Sequence, residues 1–149
     1  MSRLNSLAAR CGVAAMTSVL MTACAVFLAG AQIAPDDSGA GTQLGVQQLN
    51  NSGQTGTVTL FRRGDDTLVV IQLVSEPLGR LEPIHLQRGK SCDDIDSRPA
   101  FGLAPVANGS SRTLVRYPED KLLSGNYDVV VHASDNQLAH YVSCGHLYR

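Results

Sequence analysis

Beyond residue 31 the sequence has no stretch with a sustained helical period and no run of charge of one sign, and the whole chain has no tryptophan and only 5% aromatic residues. Without apolar residues recurring at helical spacing a helical bundle is excluded, and short strands are left as the building elements. Without a basic patch, nucleic acid is excluded as a partner. Of twelve Lys and Arg, Arg3 and Arg10 lie in the first segment, so ten basic residues face thirteen acids in the remainder. These charges are dispersed: Arg62-Arg63 is answered by Asp65-Asp66, and Arg112 and Arg116 alternate with uncharged positions, as on a solvated surface. At 149 residues and 44% hydrophobic, the chain has material for one modest core.

The first segment, residues 1–31, has the chemistry of export. MSRLNSLAAR carries Arg3 and Arg10 with no acid, Cys11 to Leu28 runs without a charge, and Ala29-Gly30-Ala31 puts small residues where a signal peptidase reads. Cleavage before Gln32 is expected. The apolar run is also long enough for an uncleaved membrane anchor, and Met21-Thr22-Ala23-Cys24 loosely resembles a lipoprotein site, although hydrophobicity continues through Leu28. All three readings put the domain outside the cytoplasm, secreted or in the cell envelope, with the membrane as a partner only if this segment is kept or lipidated. Residues 32–43 include the polar stretch APDDSGAGT and read as a linker. Residues 44–149 remain as the folded domain.

Cys11 and Cys24 belong to the leader, which leaves Cys92 and Cys144 as the only pair in the domain. An oxidising compartment makes a disulfide their expected state; two buried free thiols are the alternative. TVTLF (Thr57 to Phe61), the RGDD turn and TLVVIQLV (Thr67 to Val74) spell a hairpin. Thr113 to Arg116, Asp128 to His132 and Ala139 to Cys144 read as further strands, with turns at Asn51-Ser52-Gly53, Glu76-Pro77, Asn108-Gly109 and Ser124-Gly125-Asn126. Glu119 to Leu123 suits one short turn of helix. An all-β antiparallel Greek-key sandwich or flattened barrel with one disulfide is expected.

Three segments in order resemble the exported copper/zinc superoxide dismutase-like family, including its short CHRD-like bacterial relatives: LNNSGQTGTVTLFRRGDDTLVVIQL (Leu49 to Leu73), PIHLQRGKSC (Pro83 to Cys92) and LLSGNYDVVVHASDNQLAHYVSCG (Leu122 to Gly145). The resemblance implies that Cys92 and Cys144 match the family's intradomain disulfide. It implies that His85 matches the first histidine of a His-x-His pair, whose second position holds Gln87, and that His132 matches the copper-ligand histidine of the penultimate strand. The departures concern the chemistry. No histidine stands between Cys92 and Arg116, where the family carries its bridging and zinc ligands, and Tyr141 stands at the position of the active-site arginine.

His85 and His132 are thus a candidate but incomplete copper site. A redox copper ion needs three or four donors, and only two imidazoles match, unless His140 or His146 approaches. Three readings follow: strand histidines bonded across a barrel wall, a weak Cu(II) or Zn(II) site, or a residual redox enzyme. No cofactor is required by the first, and no catalytic residue is assigned. The expected role is a non-catalytic binding or structural module whose partner is an unidentified protein or envelope component. Asp93, Asp94 and Asp96 lack the glycine and terminal glutamate of an EF-hand loop and read as a solvated turn. His140 with Ser134 or Ser143 has no nucleophile-elbow context, and Gly53, Gly56 and Gly64 fit no phosphate loop.

Overall fold

The computed structural model describes residues 39–77 and 79–148. The leader and its expected cleavage site lie outside the described residues. Among those described, no helix is long and apolar enough to cross a membrane.

Eight antiparallel strands and one short helix follow in the order β1 (Thr42–Gln48), β2 (Thr55–Arg63), β3 (Asp66–Val74), β4 (Glu82–Ser91), β5 (Asp94–Val106), β6 (Ser110–Val115), α1 (Glu119–Ser124), β7 (Tyr127–His132) and β8 (Tyr141–Leu147). They form one sheet in the order β5-β4-β7-β8-β1-β2-β3-β6. The long connections β3 to β4 and β6 to β7 cross between its halves, which makes the topology Greek-key. The all-β barrel class expected from the strand spacing is what the chain adopts.

Local sequence accounts for most elements. The β-branched alternation of β2 and β3 puts Val58, Leu60, Val69 and Ile71 into the core, and Gly64, at φ 64°, makes the tight turn that pairs Arg63 with Asp66. The sheet's two edge strands, β5 and β6, are consecutive in sequence. Asn108 (φ 51°) and Gly109 (φ 75°) form the two-residue hairpin turn between them, and Ala107 pairs with Ser110. Beyond that bridge the seam is held by side chains: Ala104 N–H donates to Thr113 Oγ1 at 2.8 Å, and Ser111 Oγ donates to the Ala104 carbonyl at 2.6 Å. The sheet is thereby nearly closed into a barrel. Helix α1 sends Leu122 and Leu123 into the core, with Glu119 and Asp120 in its first turn.

Two expectations need correcting. The linker was expected to run to residue 43, but Thr42 and Gln43 already pair with Leu60 and Thr59 as the start of β1. The acidic stretch expected to be a turn is one only at Cys92 and Asp93; Asp94 and Asp96 lie on β5, a long, mostly exposed strand. Pro99 and Pro105 fit there because β5 is an edge in the backbone ladder, where a missing N–H costs no bond.

A buried polar layer as the candidate functional site

The candidate residues sit on the outer side of three neighbouring strands. Register pairs Ile84 with Val131, His85 with Val130, Leu86 with Val129 and Gln87 with Asp128. Across β7 and β8, Asp128 pairs with His146, Val129 with Gly145 and Val130 with Cys144. Ile84, Leu86, Val129 and Val131 belong to the apolar core. Period-two alternation therefore turns His85, Gln87, Asp128, Val130, His132, Cys144 and His146 to the opposite face.

That face would ordinarily be solvated, yet Gln87, Asp128, Val130, His132 and Cys144 are buried there. Their cover comes from elsewhere in the chain. The Cys92–Cys144 disulfide fastens the β4–β5 turn over β8, with a sequence separation of 52 residues. Ser97 on β5 offers its carbonyl to Gln87 Nε2 at 3.3 Å, and the segment between β7 and β8 brings the Leu138 carbonyl to His132 Nδ1 at 2.6 Å. The disulfide expected from the compartment is formed, and the two free thiols are not.

His85 and His132 meet: Nδ1 of the first is 2.8 Å from Nε2 of the second, with the rings edge to face. A carbonyl oxygen only accepts, so His132 carries its proton on Nδ1, bonded to Leu138, and presents the Nε2 lone pair to His85. Burial lowers the pKa of both rings, and for His132 the neighbouring His85 adds to that while the Leu138 hydrogen bond opposes it. Both imidazoles are thus kept neutral, the form that binds metal. His85 also borders a cleft of about 240 Å³ whose lining includes Leu81, Pro83, Leu103, Pro105 and Asp135, so the pair has a route to solvent through His85 alone.

The other expected donors do not join them. Gln87 is buried with its Oε1 unpartnered. His140 is exposed, and its carbonyl accepts from Ala133 N–H at 2.9 Å. His146 Nδ1 bonds to Asp128 Oδ1 at 2.7 Å. Tyr141 packs its ring against His132, with centroids 5.2 Å apart. Among the described residues, the one group of three metal-ligating side chains is Cys92, Asp128 and Cys144, not the histidine pair.

Sequence reasoning missed Asp128, and named His146 only as a possible further donor to the His85–His132 pair, not as the partner of Asp128. The available signal was a carboxylate in register with His132 inside the DVVVH strand, on the face opposite the core valines. No family model, curated protein or solved structure matches this chain.

Proposed function

We propose that the domain is an exported, disulfide-closed β-barrel module of the superoxide dismutase-like kind that binds a single copper ion through His85 and His132, in a non-catalytic role in the cell envelope. The observation that carries this reading is the 2.8 Å approach of two neutral imidazole nitrogens, with His132 oriented from behind by a backbone carbonyl. Such support from the far ring nitrogen is the usual second partner of a metal-bound histidine.

Binding an ion would replace this hydrogen bond, with His85 giving up its Nδ1 proton so that both ring nitrogens offer lone pairs; neutral imidazoles suit both Cu(II) and Zn(II), and copper is the ion the resemblance implies for this pair. A dinuclear centre does not fit, because the chain lacks a bridging histidine and the zinc donors. A copper ion on this pair would supply one-electron chemistry, but Tyr141 stands where the resemblance calls for a guiding arginine. The residues present bind an ion; they are not arranged to steer an anion to it.

The alternative is that the pair is only a hydrogen bond tying β4 to β7, favoured by the absence of a third donor among the described residues. Copper titration of the oxidised protein separates the two. In the domain that follows the leader no thiol competes while the bridge is intact, and uptake of about one equivalent of Cu(II) is expected there, lost in the His85→Gln/His132→Gln double variant. No uptake by the wild type, or uptake kept by the double variant, refutes the metal reading.

A further inference from the structure

The disulfide has surroundings that a purely structural crosslink does not need. Cys92 occupies the two-residue turn between Ser91 and Asp94 and is half-buried, whereas Cys144 is fully buried. A cavity of about 500 Å³ is lined by both cysteines, together with residues that include Gln47, Asp93, His146 and Tyr148. Behind the bridge lies Asp128, whose side chain is wholly buried. One of its carboxylate oxygens and the two sulfurs all lie within 4.8 Å of one another.

Asp128 spends Oδ1 on His146 and leaves Oδ2 with no partner. A buried, unpartnered carboxylate oxygen is costly and calls for an explanation. Strand β4 makes room for it with a glycine: a Cβ on Gly89 would come within 2.1 Å of that same Oδ2. In the oxidised state nothing donates to this oxygen, and reduction of the bridge would create a donor, the Cys144 thiol, within 4.8 Å of one of the two oxygens of the same carboxylate.

We propose that Cys92–Cys144 is a thiol–disulfide exchange centre that reacts with a dithiol partner, with Asp128 as its internal acid and His146 as the residue that positions Asp128 and connects it to solvent. A thiolate of the partner attacks Cys92 Sγ, the sulfur of the half-buried cysteine. The S–S bond breaks, its electron pair leaves on Cys144 Sγ, and that sulfur takes the proton of the Asp128 carboxyl. His146, whose side chain is 20% exposed, returns a proton from solvent. The partner's second thiolate then attacks its own sulfur in the mixed disulfide and releases Cys92 as a thiolate, which is protonated by solvent. The partner ends as a disulfide and the domain as a dithiol, a two-electron exchange.

The electrostatics suit an acid. Burial raises the pKa of Asp128 above the ordinary carboxylate value; the His146 hydrogen bond and charge oppose that, and Asp94 on β5 adds to it. From β4, Gln87 pairs with Asp128 in register and the bare backbone of Gly89 lies against its carboxylate.

The test is reduction of the folded full-length protein by dithiothreitol under native conditions, followed by thiol alkylation and mass measurement between pH 6 and 8. The rate is expected to be first order in dithiothreitol, and in Asp128→Asn, which cannot deliver a proton, to fall about 10-fold or more at the acid end with a flatter pH profile. A rate independent of dithiothreitol concentration, set by unfolding, overturns the proposal. So does an Asp128→Asn protein that reacts at the wild-type rate throughout. Should that variant not fold by circular dichroism, His146→Gln takes its place: its amide still donates to Oδ1 but does not titrate. The same flattening supports the proposal and an unchanged profile overturns it.

Discussion

Replacing Cys92 with Ser isolates what the bridge contributes to stability. Cys92 is the better site because it is half-buried in a turn, whereas Cys144 is fully buried and its replacement would mix packing with crosslinking. The bridge closes a loop with a separation of 52 residues. In the chain-entropy treatment this restricts the unfolded ensemble by about 4 kcal/mol at 25 °C. Against a usual total of about 5 to 15 kcal/mol for a domain of this size, that leaves about 1 to 11 kcal/mol, so the variant stays folded. With a urea slope of about 1.5 kcal/mol/M, the midpoint should drop by roughly 2.5 M. The slope itself should rise, because an uncrosslinked chain exposes more surface when it unfolds. With no tryptophan in the chain, the assay is far-ultraviolet circular dichroism in urea, run at equilibrium with the wild-type bridge kept oxidised. An unchanged midpoint would refute the reasoning, and an unchanged slope with a lowered midpoint would move the effect from the unfolded to the folded state.

Two further outcomes follow from the buried polar layer. Burial depresses the pKa of His85 and His132 below 6.5 in the folded state, so the unfolded chain binds more protons as pH falls through that value, and the stability these residues contribute is lost toward acid; urea midpoints at pH 7.5 and 5.5 should differ more in the wild type than in His85→Gln/His132→Gln, and equal differences would contradict this. Gly89→Ala would press a Cβ against Asp128 Oδ2 and, at 2.6 Å, the Asp94 carbonyl, so it should destabilise by roughly 1 to 3 kcal/mol as an overpacked site does, and a urea midpoint within error of wild type would show that the turn gives way freely.

The parts of the fold that can be read from the sequence are those whose own residues decide them. The β2–β3 hairpin is written in alternating β-branched residues around Arg63-Gly64-Asp65-Asp66, and the β5–β6 turn in Asn108-Gly109. Strands β1 and β5 are not legible in this way. Thr42–Gln48 carries a glycine and three glutamines and buries only Val46, and Asp94–Val106 is mostly exposed, with two prolines. Both are strands because neighbours pair with them, which is a property of the tertiary structure. The candidate site divides along the same line. His85 and His132 stand out as histidines in strands, and the resemblance ties them together. Asp128 does not stand out, since a lone Asp at the head of Val-Val-Val reads as a solvated flank. Its burial depends on a turn held from 16 residues away along the chain by Cys144 and on the strand that follows that turn.

The polar layer has two covers, and they divide its chemistry. Leu138, on the segment between β7 and β8, orients His132, whereas the β4–β5 turn, fastened by the disulfide, closes over Asp128 and His146. Along β7, Asp128 and His132 are four residues apart on one face, about 13 Å at the rise of a strand, with fully buried Val130 between them. Opening the bridge frees the turn at one end of this row and leaves the carbonyl that holds His132 at the other. The histidine pair should therefore keep its geometry whichever state the sulfurs are in, and the Asp128–His146 pair should sense that state directly. Effects of substitutions at the two ends should then add, as they do for sites more than about 10 Å apart that share no partner. A marked departure from additivity between Asp128→Asn and His132→Gln in urea midpoints would mean that the two covers move as one body.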